Sequence, residues 1–357
     1  MKRLTTALLA AMSMLCACEH HDLCFQPDQH TGGRALTVSI SYSLIWHEDY
    51  SLYNDIDSIN LDWVDNWQDM YATDRVALHP NVPEGIRCVS YQDGDRLSSV
   101  NLDPYGGDVS LSGGDYSLIF YNNDTEYIIF NDRSSMNTVT AGTRSRTRAT
   151  YLGNSALGTR SENTVSAPDI LFCHYEEVSI DQNGRSSQSL DIEMKPIVYS
   201  YVVHCEFAAG FEYVTLARGA LAGMAGSAYL KDGTTTDDVV TILFDCELTD
   251  NGASATVNSF GIPNYTPDAT VVDEGGNLIP DEEHRYGLTI EVKLRNGVLK
   301  TFDFDVTDQM AIQPNGGVIE VSGLEITEEE ARVGGSAFDV NINDWGEYND
   351  VIIPLGK

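Results

Sequence analysis

Residues 108–131 read DVSLSGGDYSLIFYNNDTEYIIFN, and this stretch decides the fold class. Gly113-Gly114 makes a turn, which glycine enters without a side-chain penalty. Tyr116, Leu118 and Phe120 then alternate with Ser117, Ile119 and Tyr121, the period of two that a strand requires. Working outward, the same period recurs on both sides. Leu36, Val38, Ile40, Tyr42 and Leu44 alternate with Thr37, Ser39, Ser41 and Ser43. Downstream lie SLDIEM at 189–194, then Ile197, Tyr199, Tyr201, Val203, Cys205 and Phe207 in alternation, then runs at 288–294 and 299–304. Asn183-Gly184, Asp232-Gly233, Asn251-Gly252, Asn296-Gly297 and Asn315-Gly316 supply hairpin turns at short spacing. The expectation is an all-β, mostly antiparallel protein in two domains, 35–195 and 196–357, meeting at Lys195-Pro196.

Three stretches break the strand pattern. Trp63, Val64, Trp67, Met70 and Tyr71 recur at helical spacing and predict a short amphipathic helix. Ala217–Leu230, ARGALAGMAGSAYL, reads as a small-residue helix or a closely packed crossover. Residues 134–166 are rich in Ser, Thr, Asn and Gly and carry Arg144, Arg146, Arg148 and Arg160, so a long mobile loop open to cleavage is expected there.

The charge narrows the function. With 54 Asp+Glu against 21 Lys+Arg the net charge is −33. A surface this acidic repels phosphate backbones, so no nucleic-acid partner is expected, nor a basic patch on anionic lipid. Catalytic spacings are missing: there is no GxSxG, no HExxH and no GxxxxGK[ST]. Paired carboxylates such as Glu176-Glu177 are too many for one pair to stand out. No catalytic residue, cofactor or metal site is expected.

Residues 1–17 read as a signal peptide. Lys2 and Arg3 precede an apolar run from Leu4 to Leu15, too short for a spanning helix of about 20 residues. Leu15-Cys16-Ala17-Cys18 resembles a bacterial lipobox, which makes Cys18 the lipidated residue and 18–34 a tether. More than one acyl chain makes such an attachment durable. Glu19 and Asp22 resemble the acidic signal that sends lipoproteins of Bacteroidota to the cell surface. An ordinary secretory signal cleaved near Ala17 is the plainer alternative.

Cys88, Cys173, Cys205 and Cys246 could form two bridges, Cys88–Cys173 and Cys205–Cys246, in an exported protein. They could equally be buried thiols acting as small apolar residues. The stretch Val351, Ile352, Ile353 and Leu355, apolar and near the chain end, either closes its own domain or exchanges into a partner, since unpaired edges invite pairing.

Two family resemblances add to these readings. Leu111-x-x-Gly114-x-Tyr116-x-Leu118 resembles the signature of transthyretin-like Greek-key β-sandwiches, which implies two such domains with one or two short helices. Ala217–Leu230, Pro196–Tyr199, Phe302–Asp308, Asn315–Val318 and Asp344–Tyr348 resemble a family of Bacteroidota surface lipoproteins. That family is similar to the anchor subunits of type V fimbriae, lipidated proteins at the pilus base. The resemblance implies an outer-membrane, surface-exposed protein, held by lipid on Cys18, that binds fimbrial or other surface subunits by β-strand addition. Two alternatives stand beside it. One is an adhesin that reads a glycan or host ligand through Trp46, Trp63, Trp67 or Trp345. The other is a hydrolase, for which no residue set can be named.

Overall fold

The computed structural model describes residues 34–43, 80–153, 158–181, 188–250, 252–267, 284–311, 313–314 and 316–332. The helix expected at 63–71 and the turn Asn183-Gly184 lie outside them.

The run around Tyr116 is β5 (Gly114–Asn122). Tyr116, Leu118 and Phe120 enter one apolar cluster, while Ile119 and Tyr121 enter another on the opposite face. Burial on both faces explains why the run is apolar nearly throughout. β5 belongs to a seven-stranded sheet with β1 (Arg34–Tyr42), β2 (Ile86–Gln92), β3 (Asp95–Leu102), β4 (Gly106–Leu111), β9 (Phe172–Ile180) and β10 (Gln188–Pro196). The order is β3-β2-β5-β9-β10-β1-β4. Its two ends are neighbours in sequence, and Asp103 bridges Gly106 between them. The sheet packs around Leu36, Val38, Ile86, Leu118 and Phe172.

The second half is an eight-stranded sheet around Tyr201, Leu221, Met224, Phe244 and Leu288. Its path joins β11 (Tyr199–Ala209), β12 (Val214–Ala225), β14 (Val239–Leu248), β15 (Gly252–Ser259), β16 (Gly287–Leu294), β17 (Leu299–Asp305) and β18 (Gly317–Glu325). The order is β17-β16-β12-β14-β15-β11-β18. Two short helices, α1 (Thr307–Ala311) and α2 (Glu328–Arg332), flank β18 in sequence. The expected all-β sandwich architecture with short helices is what forms. Most pairings are antiparallel; β1–β10, β11–β18 and one pairing of β14 are parallel.

Two expectations are revised. The small-residue stretch from Ala217 is strand, not helix: β12 pairs with both β14 and β16. Its small residues serve close packing within the sheet. A Cβ on Gly219 would stand 2.1 Å from the Phe244 ring. The expected loop at 134–166 carries β7 (Thr140–Thr143) and β8 (Asn163–Ser166). β7 lies between β6 (Ile128–Asn131) and β13 (Ser227–Tyr229) in a three-stranded sheet. β8 pairs in parallel with β14. Between these strands, Arg146 donates to the Leu243 carbonyl at 2.9 Å and Arg148 to the Phe244 carbonyl at 3.0 Å. Glu162 accepts from the Thr241 hydroxyl at 2.7 Å and from the Gly223 amide at 3.1 Å. Beneath this strap lies a buried ion pair, Arg218 and Glu291 at 2.5 Å, with Arg218 also donating to Thr150 at 2.7 Å.

The two possible disulfides do not form: Cys88, Cys173, Cys205 and Cys246 are free thiols. Cys88 and Cys173 enter clusters on opposite faces of their sheet, so their side chains point apart. Burial pushes the thiols of Cys88, Cys173 and Cys205 up to about 12, and that of Cys246 up as well. They act as apolar filling.

Candidate partner-binding edge

Cys18, Glu19, Asp22 and the stretch Val351, Ile352, Ile353 and Leu355 lie outside the described residues, as do Trp46, Trp63, Trp67 and Trp345. The candidate site must be sought among strand edges, because these offer unpaired backbone groups to a partner.

The seven-stranded sheet of the first half ends in β3 and β4. β3 is its most open strand, and from Asp95 to Ser99 its side chains are exposed on both faces. Leu97 is the one apolar side chain among them, so an added strand would find little apolar surface there to fix its register. The outer edge of β8 is also occupied, since Arg146 donates its amide to the Thr164 carbonyl and Ser166 to the Arg144 carbonyl, both at 2.9 Å.

In the second half, β17 and β18 end the strand path. β18 is blunted by side-chain amides. Gln313 accepts from the Val318 amide at 2.6 Å and donates to the Val318 carbonyl at 2.8 Å. Gln309 does the same for Glu320, at 2.8 and 2.9 Å. These glutamines stand four residues apart, and the residues they serve stand two apart. The spacing matches one helical turn against one strand repeat. The pair thus imitates a neighbouring strand along β18.

β17 has no such cover: β16 alone pairs with it among the described strands. Its residues alternate cleanly. Leu299, Thr301, Asp303 and Asp305 are exposed; Lys300, Phe302 and Phe304 are half-buried. Phe302 meets Phe207 edge to face at 6.0 Å, and Phe207 meets Phe211 at 5.2 Å. Phe302 and Phe304 thus extend the core to an edge where they stay partly uncovered.

At the start of this edge Lys300 acts as a clasp. It donates to the Glu325 carbonyl at 2.7 Å and to both Glu330 carboxylate oxygens at 2.7 and 2.9 Å. Its ammonium also sits 5.1 Å from the Phe302 ring centroid. Hydrogen bonding by Lys300 and then by the Thr327 amide holds the Glu330 carboxyl at about 2. Thr327 and Glu330 form a reciprocal capping box at 2.8 and 3.2 Å. Asn296 in the β16–β17 turn donates to the Glu330 and Ala331 carbonyls at 2.8 and 2.9 Å. α2 is therefore tied at both ends to the hairpin that presents β17.

A cavity of about 390 Å³ opens elsewhere, beside the β2–β3 turn, lined by Tyr91, Asp93, Asp115, Ser117, Glu177 and Ser179 among others. No histidine, lysine or cysteine lines it. Among the described residues no cluster of three or more His, Cys, Asp or Glu is placed to hold a metal. Nor is any helix among them long and apolar enough to cross a membrane.

A family model described as "Domain of unknown function (DUF5119)" matches residues 60–245, slightly more than half of the chain. Among curated proteins, a Bacteroides ovatus protein described as "Putative fimbrium anchoring subunit Fim4B" is 24% identical over 296 residues, covering 77% of this chain and 86% of that one. Among solved structures, a Bacteroides ovatus protein described as a "putative adhesin" gives a TM-score of 0.54 at 19% identity, over 83% of this chain and 93% of that one. That likeness shows a shared fold. The fimbrial anchor protein Mfa2 of Porphyromonas gingivalis aligns over 81% of this chain and 90% of its own, with a TM-score of 0.41 and 11% identity.

Proposed function

The chain belongs to the DUF5119 family, and from that premise we propose that it is a cell-surface protein of the fimbrial-anchor kind, holding a protein partner by strand addition. The observation that carries this reading is the contrast between edges. The exposed part of β3 is almost wholly polar and β18 is capped by Gln309 and Gln313, while among the described strands β17 pairs with β16 alone and lies beside two half-covered phenylalanines. Backbone hydrogen bonds along such an edge supply affinity, and apolar side chains beside Phe302 and Phe304 supply register. The resemblance to a fimbrium anchoring subunit supports a fimbrial or other surface subunit as the partner. The lipobox-like sequence supports attachment to the outer membrane through Cys18, with Glu19 and Asp22 favouring the outer face. The reading is of a binding protein rather than an enzyme. The edge is where Val351–Leu355 of this chain, or a strand of the partner, would compete.

The test is cross-linking in intact cells that make fimbriae. A photo-reactive residue at Thr301, exposed beside the open edge, should capture a fimbrial subunit, and the same group at Ser99 on β3 should not. Labelling with palmitate should mark the wild type and spare Cys18→Ser. Capture at Ser99 alone would remove the β17 reading; capture at neither position would remove the partner.

A further inference from the structure

We infer that the β17 edge takes a strand from another protein whose outward-facing residues are lysine or arginine and whose inward-facing residues are apolar. This rests on the strand-addition reading and specifies the partner's chemistry.

The inward half follows from β17 itself. A strand laid beside it continues its alternation, so every second residue falls beside Phe302 and Phe304, which the core leaves half-covered. The outward half follows from charge. The exposed residues of β17 include Asp303 and Asp305, and β18, whose Glu325 carbonyl Lys300 reaches, exposes Glu320 and Glu325. Glu328 and Glu329 on α2 extend the acidic rim. Three nearby cations are engaged; Lys293, opposite Leu299, and the exposed Arg295 of the turn lie at the other end of β17 from Asp303 and Asp305. Lys300 spends its ammonium on Glu325 and Glu330, Arg332 pairs with Glu328 at 2.6 Å, and Arg285 stands 3.9 Å from Asp305. Asp303 accepts from the Thr289 hydroxyl at 2.7 Å. Opposite charges facing each other across strands are favourable and like charges are not. The chain's own residues 333–357 hold four acids and a single base, Lys357, so they match this rim poorly. A second copy of the chain, at −33, is repelled as a whole. A basic, alternating strand from a different protein is the complementary occupant.

The experiment uses the full chain and three nine-residue probe peptides: valine alternating with lysine, with glutamate and with threonine. Because the whole acidic molecule attracts cations, the readout is local: exchange of those amides of Leu299–Asp305 that point away from β16. In the free protein these amides should exchange quickly. The lysine peptide should slow them, at a concentration about tenfold lower than the glutamate peptide needs. Asp303→Lys should reverse that preference, and Thr301→Lys, which leaves every acid in place, should weaken it in the same direction. Equal protection by all three peptides would overturn the inference while leaving strand addition standing. No protection by any peptide would remove both. Slow exchange before any peptide is added would show the edge already filled by the chain's own residues, and concentration-dependent slowing would show a second copy there; either overturns the proposal.

Discussion

Gly219 has little room to change. Adding a methyl group there drives it into the Phe244 ring, and overpacking of this kind costs about 1–3 kcal/mol. Gly219→Ala should lower the denaturant midpoint without altering the slope, and an unchanged midpoint would mean that Phe244 moves aside freely. Glu330 poses a different problem, one of pH. Its carboxyl lies well below the usual 4.5, at about 2, chiefly through Lys300. A depressed acid adds stability that is present above its unfolded pKa and lost as pH falls through the folded one. α2 should therefore stay on the hairpin at neutral pH and come loose between about pH 4.5 and 2. Amide exchange at Thr327–Arg332 would follow this directly, and Glu330→Gln should loosen α2 already at pH 7. Because Glu330 is solvent-accessible, the effect should be local, with little change in global stability.

At the scale of elements, β18 depends on two side chains of the α1 segment. Gln313 is buried and Val318 half-buried, so Gln313→Leu leaves the Val318 backbone groups poorly satisfied, at a cost of about 1–3 kcal/mol. Gln309→Leu should cost less, because Glu320 is exposed and water can replace the amide. Both variants should also self-associate more readily in light scattering, since each uncovers strand edge. None of this could be read from the sequence: a glutamine pair gains its meaning only when it meets a strand. The strands themselves were legible wherever one face is buried and the other wet, as in β1, β10 and β17, whose alternation survives intact. β12 was not, because a strand buried on both faces between β14 and β16 shows no alternation, and its small residues imitate a packed helix. β17 could be recognised as a strand, but its position at the end of a sheet is a tertiary fact.

For the molecule as a whole, the strap from Arg144 to Ser166 is decisive. It looked like a loop because it is polar and its strands are four residues long. Its partners, such as Leu243 and Phe244, lie nearly a hundred residues further on. Since β7 and β8 pair with strands from beyond the boundary expected at Lys195-Pro196, the halves share hydrogen bonds, and the family match across 60–245 spans the same junction. Unfolding should therefore be a single transition in calorimetry, and two separate peaks would show the strap to be a minor tie. The ion pair beneath it gives a sharper test. Arg218→Met alone should cost about 3–5 kcal/mol by stranding the buried Glu291 carboxylate, whereas pairing it with Glu291→Leu should recover most of that loss.

The position of β1 has a mechanical consequence. Tension arriving through the residues before Arg34 enters the body along this strand, which is flanked by β10 on one side and β4 on the other. A pull along its axis shears both ladders together, so the rungs share the load instead of peeling away one after another.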